Sequence, residues 1–307
     1  MIICCGDALM DLIQVRSEAG DPCYAPLAGG AVFNTAISLG RLGVDVAMVS
    51  GISTDRFGRQ LASALDASGV NSRYLIRSER PTTLAFVHLK DGQASYTFYD
   101  ENTAGRRIEV SDLPALDQAV TTLFFGGINL ISEPVADAYL ALAERAAGDR
   151  VIMLDPNIRA DFIVNEARYR ARLGRMLAVA DMVKVSDDDL DWLVRGDTEL
   201  EQVKKLRGDT DALVIVTKGR AGATAYLKDG ESLHQGAVRV EVVDTVGAGD
   251  TFNGGWLACL DQLSLLSKQE IHKAHASQIQ QALAYGARVA ALTISRQGAN
   301  PPWADEL

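Results

Sequence analysis

The sequence predicts an α/β fold, a central and mostly parallel sheet flanked by helices, with a small β-sheet lid. Three observations predict it. Short aliphatic runs recur along the chain, each followed directly by glycine or a polar residue. From about residue 120 these runs alternate with helical stretches, which implies parallel strands joined by crossover helices. Two runs with residue-by-residue alternation, 83–89 and 95–99, break that pattern and read as a hairpin outside the main body.

Taken in order, residues 2–5 are a short apolar run ending at Gly6-Asp7, which reads as a buried strand. Residues 31–42 (AVFNTAISLGRL) carry apolar positions at helical spacing, and Gly43 stops them. Val44–Val49 is the next strand. Asp55 then caps a helix that runs to about Ser68 and halts at Gly69. The strands Thr83–Leu89 and Ser95–Tyr99 flank Asp91-Gly92, and with residues near 12–27 they make the small sheet. Thr122–Phe125, Val151–Leu154, Met182–Val185 and Leu213–Val216 are strands, with helices near 133–147, 166–179 and 187–206 between them. Ala223–Leu227 followed by Asp229-Gly230 reads as a hairpin at the sheet edge, and two long helices follow, at about 250–262 and 268–292. No linker, repeat or low-complexity stretch interrupts the pattern. One domain over 1–307 is expected, with the lid inserted at about 12–28 and 72–108.

Composition narrows the function. The chain is 48% hydrophobic but only 6% aromatic, so its core must be aliphatic. A formal net charge of -10 disfavours nucleic acid and membrane surfaces as partners. It does not disfavour a small anionic nucleotide, because local backbone amides outweigh distant charge. The four cysteines, Cys4, Cys5, Cys23 and Cys259, lack the spacing of a zinc or redox motif. MIICCGDALMDL lacks the basic region and long apolar stretch of a secretory signal, and no window is long enough for a membrane helix. A cytoplasmic protein is expected.

Gly6-Asp7, Gly126-Gly127, Asp155-Pro156-Asn157, Ser186 and Thr217-Lys218-Gly219 all follow predicted strands directly. Polar groups therefore collect at one end of the sheet, where open α/β folds bind ligands. The string DTVGAGDTFNGG, residues 244–255, brings a flexible loop, Gly247-Ala248-Gly249, into a helix starting near Asp250. Such a loop turns several N–H groups to one point, and the helix terminus adds partial positive charge: a cradle for an anion. Asp250 at its mouth suits a base that takes the proton of an attacking hydroxyl during phosphoryl transfer. A lone Gly-Asp pair would be read as a helix cap. Gly254 and Gly255 weigh against that, since glycine early in a helix costs about 1 kcal/mol and implies a ligand or another helix very close. No Walker loop and no G-x-G-x-x-G after the first strand occur.

DTVGAGDTFNGG resembles the C-terminal signature of the ribokinase-like (PfkB) carbohydrate kinases, and GGAVFNTAISLGRLG, residues 29–43, resembles their N-terminal signature. The likeness extends over almost the whole chain. It implies a ribokinase-like fold and an ATP- and magnesium-dependent kinase, with K⁺ as a further cation. Asp250 would be the base, and Gly247, Ala248 and Gly249 the anion cradle.

The resemblance also distributes the remaining residues. Asp11 would hold sugar hydroxyls, although on its own it reads as a turn residue near a strand end. Gly29 and Gly30 match the hinge and sugar-approach glycines, and Asn34 the amide that contacts the sugar. Asp155-Pro156-Asn157-Ile158-Arg159 is similar to the D-x-N-x-R string of fructokinases and 2-keto-3-deoxygluconate kinases. It offers Arg159 to a substrate oxygen, a carboxylate or a phosphate, with a surface ion pair as the equal alternative. Lys184 and Ser186 would face the nucleotide. Asp189 stands where the family has glutamate and would reach the metal through water. Thr217, Lys218, Gly219 and Gly222 would border the nucleotide. Ala287 and Gly298 lie in the adenine-side helix and loop, where alanine implies loose base contacts. In the lid, Tyr96, Phe98, Asn102 and Arg106 would face the sugar, and lid edges pairing between subunits imply a homodimer.

DPNIR and YDENTAGR look more like fructokinases than ribokinases, so D-fructose is the expected acceptor, at its 6-hydroxyl. The alternatives are an acid sugar, 2-keto-3-deoxygluconate, met by Arg106, Arg107 or Arg159; more distantly ribose or a nucleoside; and a non-catalytic sugar-binding protein on the same fold.

Overall fold

The computed structural model describes the backbone of residues 1–90 and 93–307 and the side chains of all but 88–95. The expected turn at Asp91-Gly92 lies outside the described residues. Strand β1 (Ile2–Cys5) leads into the lid strands β2 (Leu9–Arg16) and β3 (Pro22–Gly29), and the chain returns through helix α1 (Ala31–Arg41) to β4 (Val46–Val49). Next come β5 (Gly51–Ser53), α2 (Arg56–Ala67), β6 (Ile76–Ser78) and the second lid pair, β7 (Leu84–Lys90) and β8 (Gln93–Tyr99). Four strands then alternate with helices: β9 (Thr122–Gly126), α3 (Val135–Ala146), β10 (Val151–Asp155), α4 (Glu166–Leu177), β11 (Met182–Ser186), α5 (Asp187–Leu193), α6 (Glu199–Arg207) and β12 (Leu213–Thr217). The chain closes with β13 (Ala223–Tyr226), β14 (Ser232–Gln235), α7 (Ala248–Gln262), α8 (Lys268–Ile271) and α9 (Ala276–Ile294).

The main sheet has eight strands in the order β14-β13-β12-β11-β10-β9-β1-β4. The run from β12 to β4 is parallel, and the β13–β14 hairpin closes one edge antiparallel. Alternate residues of each strand feed opposite faces. Ile2, Cys4, Met48, Phe124 and Met153 pack under α1, α2, α7 and α9. Ile3, Cys5, Val49, Phe125 and Leu154 pack under α3, α4 and α6. Both faces are covered, which is why these strands read as continuous apolar runs rather than alternating ones. Cys4, Cys5 and Cys259 are buried without a disulfide. Among the described residues, no helix is long and apolar enough to cross a membrane.

The lid is a second sheet, β3-β2-β7-β8, in which β2 pairs parallel with β7. Its strands begin and end inside the expected 12–28 and 72–108 insertions only in part. Residues 76–78 pair instead with 51–53 in a two-stranded sheet too short to register as periodicity. Ala104 and Ile108 return to the buried interior.

Two expected helices are broken. The stretch 187–206 splits into α5 and α6, because Thr198 starts afresh as an N-cap, its hydroxyl accepting from the Glu201 amide. An added Cβ at Gly196 would lie 2.8 Å from Gln202 Cγ, so the chain turns there at glycine. The stretch 268–292 splits likewise, with His275 N–H donating to Gln278 at the start of α9. Gly254 and Gly255 answer to helices, not to a ligand. Cβ atoms there would come 2.3 Å from Ser38 Oγ on α1 and 2.8 Å from Val289 Cγ2 on α9. These two glycines let three helices meet closely enough to bring α1 against the start of α7.

Candidate active site

The loop before α7 ends in a left-handed residue, Gly247 at φ 77°, which a side chain would strain and which would also strike Ala299. The turn hands the chain directly to α7. The Ala248 N–H goes back to the Thr245 carbonyl at 3.3 Å. The N–H groups of Gly247, Gly249 and Asp250 have no acceptor among the described residues. The cradle therefore consists of three donors at a helix terminus, with Ala248 contributing shape rather than a bond.

Asp250 is 9% exposed and projects from this first turn. Asn34 Nδ2 donates to its Oδ2 at 2.9 Å. Burial pushes its carboxyl up to about 7, the Asn34 bond opposes that rise, Asp155 adds to it and Lys184 opposes it. A base titrating near neutrality suits general-base work.

Beneath the cradle lies a buried ionic cluster. Lys184 Nζ donates to Asp155 Oδ2 at 3.0 Å, with the two side chains 3% and 2% exposed. Asn253 Nδ2 donates to the same oxygen at 2.7 Å. A Cβ on Gly249 would lie 3.2 Å from Lys184 Nζ, which places the ammonium directly under the cradle. Burial works against that charge, but the opposite charge of Asp155 outweighs it and keeps the pKa above its ordinary value.

Toward the lid, Asp7 accepts from the amides of Ala31 and Val32, at 2.9 and 3.4 Å, and so caps α1. Gly127 must be glycine, since its Cβ would meet Asp7 Oδ1. Asp11 on β2 is pushed up to about 7, by burial first and Asp7 second. Gly29 leaves room for it, because a Cβ there would sit 2.2 Å from Asp11 Oδ2. Gly30, at φ 114°, joins β3 to α1. Tyr96 is raised by burial and then by Asp11, with Arg159 opposing and Asp250 adding, so its hydroxyl lies within electrostatic reach of all three. Tyr96 stacks on Phe98 at 6.0 Å, and Phe98 meets Phe162 edge-on at 4.7 Å. Arg159 donates to the Ile158 carbonyl at 3.1 Å, beside Asn157 at φ 46°.

Two of the expected lid residues are held by other parts of the protein. Asn102 is exposed and accepts from the Arg80 guanidinium. Arg106 is ion-paired to Asp100 at 3.0 Å and donates to the Glu133 carbonyl. Neither has a bond to Asp11, Asn34 or Asp250.

Beyond the cradle, the Asp244 carboxylate accepts from Val246 N at 3.0 Å and Gly298 N at 2.9 Å, tying the cradle loop to the turn after α9. A Cβ on Gly222 would lie 2.0 Å from the Gln235 carbonyl, so the turn at 217–222 is pressed against the segment leading to that loop. Val243 and Val246 on this segment are exposed. Thr217 donates to the Val185 carbonyl at 3.4 Å, and Lys218 pairs with Glu199 at 2.9 Å, so its charge is already compensated. Ala287 packs against the core. Ser186 caps α5, accepting from Asp189 N at 3.0 Å. Asp189 in turn accepts from Ile158 N at 3.0 Å and Ser186 N at 3.5 Å. Its oxygens are thus shared with backbone amides, which suits an indirect contact to a hydrated cation. No cluster of three or more His, Cys, Asp or Glu that could hold a metal directly occurs among the described residues.

Sequence reasoning left Asp7, Asp155, Asn253 and Asp244 off the site. Each lies inside a string it had singled out, and each is a polar residue directly after a strand or beside the cradle, which was the available signal.

The profile of the family described as pfkB family carbohydrate kinase matches residues 1–306. A fructokinase of Rhizobium leguminosarum bv. trifolii is 47% identical over 272 residues, covering 88% of this chain and 83% of that protein. A crystal structure of fructokinase with bound ATP from Xylella fastidiosa superposes with a TM-score of 0.86 at 27% identity, over 97% of this chain and 93% of that one. A fructokinase from Vibrio cholerae O395 in its fructose-, ADP- and calcium-bound form gives 0.83 at 26% identity, over 97% and 94%.

Proposed function

The chain belongs to the pfkB family of carbohydrate kinases, and from that premise we propose that it transfers the γ-phosphoryl group of ATP to the 6-hydroxyl of D-fructose. The observation that carries the reading is Asp250, buried at the start of α7 beside the amides of Gly247 and Gly249, which have no acceptor among the described residues. The acceptor hydroxyl approaches Asp250, which takes its proton as the oxygen attacks the γ-phosphorus. The amides and the Lys184 ammonium face the charge gathering on the migrating group. The triphosphate runs from the cradle toward Gly222 and Gly298, and the exposed valines 243 and 246 offer the base an apolar wall. Asp11 and Tyr96 hold the sugar from the lid side, which excludes water that would otherwise attack ATP. Magnesium, when bound with the nucleotide, supplies charge compensation on the phosphate oxygens, and Asp189 would meet its hydration shell.

Fructose is favoured over an acid sugar by the state of the cations. Arg106 is compensated by Asp100, and the charge of Arg159 acts on Asp7 and Tyr96. A substrate carboxylate would have to compete for both. The test is a sugar panel with ATP and magnesium, following ADP release, with K⁺ exchanged for Na⁺ in a parallel series. Fructose should give the highest kcat/KM; turnover of 2-keto-3-deoxygluconate or a nucleoside without fructose would remove the substrate assignment.

The outer face of the lid also fits a second copy of the chain. Tyr24 and Tyr99, 45% and 55% exposed, pack edge-on against Phe86 at 5.1 and 5.4 Å and leave an aromatic surface open. Light scattering should give twice the chain mass, and Tyr99→Lys should halve it; a monomeric native protein would overturn this.

A further inference from the structure

We propose that Asn34 is a positioning residue for the base: its carboxamide fixes one oxygen of Asp250 so that the other faces the acceptor hydroxyl. The inference rests on the kinase reading above, and it assigns to Asn34 a task different from sugar contact alone. Asn34 lies in the second turn of α1, and Asp250 lies 216 residues later in the first turn of α7. The Nδ2···Oδ2 bond is 2.9 Å, and both side chains are buried. The next residue, Thr35, is wholly buried, and its hydroxyl lies 3.0 Å from the Asp250 backbone carbonyl. Neighbouring residues of one helix thus hold the side chain and the main chain of the base. Close approach of the helices at Gly254 permits both bonds.

A carboxylate has two oxygens, and rotation of its terminal torsion costs little unless a partner fixes it. An unheld Asp250 could turn toward Lys184 and present no oxygen to the sugar. Asn34 prevents this, and its own carbonyl is left for a substrate hydroxyl, so one amide orients both reactants of the proton transfer. The amide also works against the burial that raises Asp250, so its loss should make the base harder to ionise. The other charged or titratable groups that act on Asp250 are Asp7 beyond β1, Asp155 on β10, Lys184 on β11 and Tyr96 on β8, and none is altered by changes at residue 34.

The experiment is the pH profile of kcat for Asn34→Leu and Asn34→Asp, run with whichever sugar the native enzyme turns over best. That choice keeps a wrong sugar assignment from being mistaken for a wrong assignment of Asn34. Asn34→Leu removes the donor; Asn34→Asp keeps the size and sets a second carboxylate against the base. Both should lower kcat by about 10- to 100-fold at pH 7 and move the acid limb upward by about one pH unit or more, further for Asn34→Asp. The isosteric variant keeps the test open if the leucine variant does not fold. An unmoved acid limb in the folded variants, with the sugar KM raised and kcat retained, would reduce Asn34 to a sugar contact and overturn the proposal.

Discussion

Asp250→Asn should lower kcat by about 10²–10⁴-fold while sugar and ATP affinities change little. Asparagine keeps the shape, the place in the first turn of α7 and an oxygen able to accept from Asn34, and it removes only the ability to take a proton. The same substitution should make the protein more stable above neutral pH. The Asp250 carboxyl is raised from 3.8 to about 7 in the folded protein, so the folded state holds a proton that the unfolded chain releases across that interval. Stability attributable to this group is present below pH 3.8 and is lost as pH rises toward 7. A neutral amide escapes that loss, with an upper bound of about 4 kcal/mol. Steady-state kinetics and urea melts at pH 8 read the two effects. Retained turnover would reduce Asp250 to a buried structural partner of Asn34.

Lys184→Met carries the second large effect. The substitution leaves the Asp155 carboxylate buried, with Asn253 as its remaining side-chain donor, a loss of about 3–5 kcal/mol for breaking an interior ion pair from one side. It also removes a positive charge from beneath the Gly249 amide, and loss of one such group typically lowers kcat by about 10²–10³-fold. The two consequences separate in Lys184→Met/Asp155→Leu. An apolar pair should recover most of the denaturation midpoint, since a buried ion pair is seldom more stabilising than its hydrophobic replacement. Activity should stay low. Recovery of kcat together with stability would mean that the lysine serves only the fold.

Much of the architecture was legible because its causes are local. Aliphatic runs of β1, β9, β10 and β12 are buried on both faces, and Asp55, with its carboxylate accepting from Gly58 N at 2.7 Å, marks the start of α2 in the sequence itself. The cradle was legible for the same reason: Gly247, Gly249 and Asp250 fall within four consecutive residues of the chain. Contacts set by packing were not. The Asn34–Asp250 bond and the convergence of Lys184 and Asn253 on Asp155 join residues 216, 29 and 98 positions apart, and nothing in the separate strings couples them. Asn34 was assigned a sugar contact by resemblance, and its bond to Asp250 follows from the α1–α7 crossing. Asn102 and Arg106 were assigned by their place in a string, while Arg80 and Asp100, which hold them, lie outside it or at its edge. Strands β5 and β6 carry too few residues to show a period.

The four lid strands hang from the main sheet by two separate connections, one on each side of α1 and α2, and their pairing is completed only among themselves. On the proposed reading, the lid's share of acceptor recognition, Asp11 and Tyr96, sits on strands that pair apart from the sheet carrying the phosphoryl-transfer residues. A lid transplanted from a relative with another appetite, with Asp11 and Tyr96 travelling together, should redirect the catalyst toward a new polyol without rebuilding its engine.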